Sequence, residues 1–246
     1  QGQPIAPSAI RANAKAFISS GLTDVSEPRS LMAYEIPLIV EEFRQAAVNA
    51  KKAGFDMVEI HGANGYLVDQ FLRDSSNVRA DDYGGSIQNR TRFLLEIVDA
   101  ISTIYPSNKI GCRIGPSSEI NDIQDSDPQT LFNYVAEQLG QKKLGYINVI
   151  EGRTRGNKSN VVFDYNQIYQ IFKMHGGIAT MANNGYGKYL ADTSSVDLVA
   201  FGIPFIANPD LVYRLEHNLP LATADKDTFY GGAEKGYTDY PFCSKE

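Results

Sequence analysis

The stretch GFDMVEIHGANGYL, residues 54–67, decides how this chain is read. It opens on Gly54, a good helix stop, and passes into FDMVEI, an apolar-rich run of strand length. Just past that run sit an imidazole, a carboxamide and a phenol: His61, Asn64 and Tyr66, spaced by small residues. His61 is one of only three histidines in 246 residues. Three different polar chemistries at one strand end raise a choice between packing and catalysis, and the flanking sequence supplies the architecture in which to make it.

Upstream, Ile36, Val40, Phe43, Ala47 and Ala50 recur at roughly helical spacing. Pro37 suits the first turn of that helix, and Lys51 and Lys52 suit the last. Downstream, the polar loop DSSNVRADDYGGS leads to Ser86, a candidate N-cap, and then to an apolar stripe of Phe93, Leu94, Ile97, Val98 and Ile101. The strand KIGCRI follows. Asp127 before Pro128 makes an N-cap and N1 pair for a helix carrying Leu131, Val135 and Leu139. YINVI, a helix from about Tyr165 to Met174, IATMA, a short helix, VDLVAF and a last helix opened by Asn208-Pro209 complete the series. Five strands alternating with helices predict an α/β fold with a parallel sheet and right-handed crossovers. The strands read as near-continuous apolar runs, as buried parallel strands do.

The polar candidates sort to one end of this sheet. His61, Asn64 and Tyr66 follow the first strand, Arg113 ends the second, and Glu151 and Arg153 follow the third. Asn183, Asn184 and Gly185 follow the fourth, and Gly202 follows the fifth. Strand C-terminal ends are where α/β barrels and open α/β sheets hold ligands.

Composition bounds the rest. The chain is 43% apolar and 21% charged, ordinary for a globular domain with a sizeable core. A net charge of −6 argues against nucleic-acid and anionic-membrane partners. Two cysteines, Cys112 and Cys243, form neither a disulfide framework nor a zinc motif, so reduced thiols in a cytoplasmic protein are expected. No apolar run reaches transmembrane length.

Four stretches together resemble the old yellow enzyme family of flavin-dependent ene reductases. They are GFDMVEIHGANGYLVDQFLRDSSNVRADDYGGSIQNRTRFLLEIVDAI, RIGPSSEIND, VDLVAFGIPFIANPDLVYRL and DTFYGGAEKGYTDYPF, in the family's order. The resemblance runs from about Pro4 to Phe242 and implies a (β/α)8 TIM barrel with FMN at its C-terminal face. It also implies NADPH or NADH as reductant and an activated C=C bond, in a small enone or quinone, as the group reduced. The five strands match the family's last five. Residues 1–246 are therefore expected to be a single flavin-oxidoreductase barrel domain, truncated at its N-terminus, with the first three strands absent. The segment from Ala14 to Arg29 resembles the family's excursion before its third helix. A monomer or homodimer is expected.

The resemblance also implies roles. His61 and Asn64 would donate hydrogen bonds to one substrate carbonyl oxygen, drawing electron density from the C=C bond as negative charge develops on that oxygen. Tyr66 would protonate the α carbon, since phenols, with a pKa of about 10, stay protonated near neutrality. Arg113 would face the pyrimidine side of the flavin. Asn183, Asn184, Gly185, Gly202 and Ile203 fall in the two loops that hold the FMN phosphate. Here Asn184 replaces a family Gly and Ile203 replaces an Arg that contacts phosphate. Asn tolerates positive φ better than most residues, so the first turn is expected to survive. Phe229 and Tyr230 would flank flavin and substrate. The helix between Gly185 and Asp197 looks about one turn short.

Plainer readings exist for each residue. His61 could be a strand-end imidazole bonded to backbone, Tyr66 a packed loop aromatic, and Arg113 the partner of a buried acid such as Glu59. Phe229 and Tyr230 could be core aromatics. For the whole chain, the alternative is a truncated or flavin-poor, non-catalytic relative of the same family. A different barrel enzyme, such as a metal-dependent hydrolase, is disfavoured because only one histidine lies in the site.

Overall fold

The structure, a computed structural model, describes residues 3–18, 21–152, 162–186, 196–229 and 233–243. The chain divides into two compact units. The first comprises residues 1–185 with 196–198, and the second residues 186–195 with 199–246.

The first unit begins with two small sheets that the sequence did not signal. Strand β1 (Ile5–Ala6) pairs in parallel with β4 (Arg29–Ser30). Between them, β2 (Lys15–Ile18) and β3 (Gly21–Asp24) form an antiparallel pair. These pairings are short and mostly exposed, so no apolar alternation marks them. Helix α1 (Ile36–Lys52) follows, with Pro37 in its first turn and lysines in its last, as the end signals predict. Of its expected stripe only Ile36 and Ala47 are buried. Phe43 instead lies half-covered, edge-on to Phe93 at 6.3 Å, where α1 packs on a neighbouring helix.

The main sheet is parallel. It contains β5 (Val58–Gly62), β6 (Ile110–Ile114), β7 (Tyr146–Ile150) and β8 (Ala179–Asn183), paired in sequence order. A fifth strand, β9 (Leu198–Ala200), begins at the last residue of the first unit. Helices α3 (Ile87–Ser102), α4 (Pro128–Gln141) and α5 (Tyr165–Met174) connect β5 to β8. Each starts at a side-chain cap. Ser86 accepts from the Asn89 amide, Asp127 from Thr130 and Asp164 from Gln167. A short helix, α2 (Leu67–Leu72), interrupts what the sequence presents as a loop after β5.

One face of this sheet is the core. Ile60, Ile110, Cys112, Ile114, Ile147, Val149 and Ala182 are buried there, as are the predicted stripes of α3 and α4. Each fully buried isoleucine or valine among them contributes roughly 1.5–3 kcal/mol. The other face departs from the near-continuous apolar pattern. Glu59, His61, Arg113, Asn148 and Asn183 alternate with the core residues and point away from the helices. Gly111 is fitted to this face, because a Cβ there would sit 2.1 Å from the Tyr146 ring.

The second unit holds two short helices, α6 (Ile203–Ala207), absent from the sequence reading, and α7 (Leu211–Glu216). Buried Asn208 staples it, donating to the carbonyls of Pro204 and Ala222 and accepting from the Ala222 amide. Arg214 binds Asp210 at 2.6 Å and donates to the carbonyls of Pro220 and Pro241.

Candidate active site

The register of the parallel sheet builds the site. His61 on β5 pairs with Arg113 on β6, Arg113 pairs with Asn148 on β7, and Asn148 pairs with Met181 on β8. Four residues from four strands thus form one row near the strands' C-terminal ends, with successive strands about 4.8 Å apart. Arg113 Nη2 donates to Asn183 Oδ1 at 3.3 Å, while its Nε is buried without a partner. Asn148 Nδ2 donates to Glu59 Oε2 at 3.0 Å, and its Oδ1 is likewise buried and unpartnered. Glu59 is therefore bonded to Asn148, and the guanidinium of Arg113 to Asn183.

The loop after β5 turns sharply. Asn64 and Gly65 both take left-handed backbone, with φ of 60° and 71°. Tyr66 then caps α2 in extended conformation, its amide donating to the Ala63 carbonyl at 3.3 Å. This turn brings the Tyr66 ring to 5.3 Å from the His61 ring, tilted by 50°. Tyr66 is 56% exposed, so the phenol is presented to solvent and not packed into the core. The imidazole of His61 is held below its ordinary pKa, first by partial desolvation and then by the positive charge of Arg113. Its neutral form is favoured, which leaves one ring N–H as donor and the other nitrogen as acceptor.

The loop after β8 also turns through positive φ, 97° at Asn184 and 79° at Gly185. Asn184 Nδ2 donates to the Glu151 carbonyl at 2.7 Å, tying this loop to the end of β7. Among the described residues, no atom beyond its chain neighbours lies within 4 Å of where a Cβ on Gly185 would stand. In the second unit, Gly202 precedes α6 and Ile203 is its first residue, 41% exposed. Phe229 follows the 3-10 turn Lys226–Thr228. Tyr230, Arg153 and the expected short helix before Asp197 lie outside the described residues.

The structure adds residues that local sequence did not single out. Asn148 carried one signal, a carboxamide inside the apolar run YINVI. Arg73 carried none. It is 1% exposed and reaches the carbonyls of Gly115 and Pro116, more than forty residues on. Among the described residues, no cluster of His, Cys, Asp and Glu could hold a metal ion, and no helix is long and apolar enough to cross a membrane.

Comparison with known proteins bears on the family and the fold. The model of the NADH:flavin oxidoreductase / NADH oxidase family matches residues 1–222. 12-Oxophytodienoate reductase 1 of Oryza sativa subsp. japonica is 43% identical over 230 residues, covering 89% of this chain and 59% of the relative. Flavin oxidoreductase hxnT of Emericella nidulans is 38% identical over 263 residues, covering 98% of this chain and 67% of the relative. Among solved structures, morphinone reductase superposes with a TM-score of 0.90 at 42% identity, covering 98% of this chain and 67% of that one. The old yellow enzyme homologue from Zymomonas mobilis gives 0.91 at 34% identity, covering 98% and 68%. This chain spans about 60% of the length of several curated relatives it matches. Its parallel strands, with their crossover helices, are those of a (β/α)8 barrel over the span it shares with them. The chain belongs to the NADH:flavin oxidoreductase / NADH oxidase family, the old yellow enzyme family.

Proposed function

We propose that this chain acts as a single flavin-oxidoreductase barrel domain, residues 1–246. In this reading it holds FMN and reduces the activated C=C bond of an α,β-unsaturated carbonyl compound, an enone or a quinone, with NADPH or NADH. The observation that carries the reading is the adjacency of His61, Tyr66 and Arg113 at the C-terminal ends of two neighbouring strands. The relatives' names point the same way, as does a morphinone reductase structure in complex with tetrahydroNAD.

The residues suit a flavin ring. The buried, unpartnered Arg113 Nε and Asn148 Oδ1 are a cationic donor and an amide acceptor on adjacent strands, which matches the mixed donor and acceptor edge of a pyrimidinedione. The turn at Asn184 and Gly185 runs through positive φ, the backbone form that builds anion-binding concavities and that suits a phosphate. Ile203 stands where the family resemblance implies a phosphate-binding arginine and carries no charge, which weakens the hold on phosphate.

FMN, when bound, supplies the hydride for the β carbon. The chain's own groups do the rest. His61 and Asn64 donate to the substrate carbonyl oxygen, where electrostatic stabilisation grows with the developing charge. A neutral imidazole serves this role as an N–H donor without fixing a full charge on the product. Tyr66, beside His61 and open to solvent, protonates the α carbon and recovers its proton from water.

The test is spectroscopic. Purified protein incubated with FMN should retain a yellow chromophore through gel filtration, bleach with NADPH or NADH, and recover colour on adding an enone. Protein that leaves gel filtration colourless after incubation with excess FMN rejects the reading and favours the flavin-poor alternative, to which Ile203 already points.

A further inference from the structure

The left-handed turn at Asn64 and Gly65 is only one of the conformations open to these two residues, so it is unique only where its surroundings fix it. Three side chains do so. The Gly65 amide donates to Asp69 Oδ2 at 3.0 Å, Gln70 Nε2 donates to the Gly65 carbonyl at 2.7 Å, and Asn121 Nδ2 donates to the Asn64 carbonyl at 2.8 Å. Asp69 is fully buried, and its other oxygen accepts from Arg73 Nε at 2.9 Å. The two remaining nitrogens of Arg73 donate to the carbonyls of Pro116 and Gly115, at 3.0 and 2.7 Å. Its guanidinium stacks 4.5 Å from the centre of the Phe132 ring.

One buried guanidinium thus joins two loops. Through Asp69 it holds the turn that carries Asn64 and Tyr66. Directly, it holds the loop that leaves β6 just after Arg113. A buried ion pair is a weak source of net stability, because desolvation offsets its attraction. What a planar fork with all three nitrogens engaged supplies is geometry.

We propose that Asp69 and Arg73 are positioning residues, which set the Asn64–Tyr66 turn against the Arg113 strand so that the substrate's oxygen donors and proton donor meet the flavin in register. This rests on the function proposed above, and its test separates the two. Arg73→Lys keeps the charge but cannot reach three acceptors at once. Asp69→Asn keeps the shape but weakens the pair, and serves where Arg73→Lys does not fold. The first measurement needs no flavin. Amide hydrogen exchange at Gly65 and Tyr66 should quicken about tenfold or more in either variant, while β5 and α3 keep wild-type protection. The second uses the FMN-loaded chain. Oxidation of reduced flavin by an enone should slow about tenfold or more, with flavin reduction by NADPH within about twofold of wild type.

Wild-type exchange at Gly65, faster exchange across the whole sheet, or equal slowing of both half-reactions would each overturn the proposal, the last two by showing a general structural role. If the wild-type chain takes up no FMN, the function reading fails while the exchange measurement still decides whether Arg73 holds the turn.

Discussion

His61 and Arg113 stand opposite each other on adjacent parallel strands, and the imidazole's pKa lies below 6.5. Desolvation is the larger cause and the guanidinium charge the second, with Glu59 and Asp69 pulling weakly the other way. The folded chain therefore binds fewer protons at this residue than the unfolded chain in the window just below pH 6.5. The contribution of His61 to stability rises with pH across that window and falls as pH drops through it. Replacing Arg113 with Met should raise the His61 pKa, but not fully to 6.5, since the desolvation remains. Proton NMR of the three histidine rings against pH measures this directly. A His61 pKa that stays put or falls in the variant would show that Arg113 is not felt at the imidazole.

Tyr66 presents its phenol beside that imidazole, and the ring is more than half exposed. Tyr66→Phe should keep the ring contact and the fold while slowing α-carbon protonation by about 10²-fold, the lower range for loss of a general acid. Stopped-flow absorbance separates the half-reactions, and flavin reduction by NADPH should be unchanged. Equal loss in both would mean that the phenol acts on flavin or on structure, not as proton donor.

Gly65 has no room for a side chain. A Cβ would lie 2.8 Å from the Ile120 carbonyl oxygen and 2.9 Å from the Asn121 Cβ, at a φ of 71°. Gly65→Ala should destabilise the chain by about 2 kcal/mol or more, from left-handed strain plus the clash. For a domain of this size that is a fall of roughly 4–8 °C in Tm by calorimetry. Gly85, also at positive φ but with nothing near its Cβ position, is the control. Gly85→Ala should cost only the strain, and equal losses at both sites would contradict the close packing at Gly65.

Ile203 begins α6 and is 41% exposed, so a longer side chain can extend toward solvent. If the FMN phosphate binds at this helix start, Ile203→Arg should add a charge-assisted bond of roughly 1.5–3 kcal/mol and tighten FMN by about one to two decades. Quenching of FMN fluorescence gives the Kd, and the gain should shrink with added salt. Ile203→Gln, which adds donors without charge, should recover much less. No change with Arg would place the phosphate elsewhere.

Much of the fold was legible because its signals are local. Ser86 and Asp127 cap the helices their side chains announce, and the stripes Phe93 to Ile101 and Leu131 to Leu139 are buried as their spacing requires. α2 was hidden because its six residues follow a polar turn and lack a cap signal of their own, with Tyr66 in the cap position. The β1 and β4 pairing was hidden because two-residue strands carry no period to read.

For the site, the sequence alone determined the residue types and their place at strand ends: His61 near the end of β5 with Asn64 and Tyr66 past it, Arg113 near the end of β6, and Asn183 closing β8 with Asn184 and Gly185 past it. A strand's length and alternation depend on neighbours one and two positions away, so those features survive without the fold. Only the tertiary structure decided that His61 faces Arg113, that Asn148 extends their row, and that Arg73 locks one loop to another. Parallel pairing joins residues about fifty positions apart through backbone hydrogen bonds that every residue type can make, so register is set by packing of whole strands and helices, which no local stretch contains.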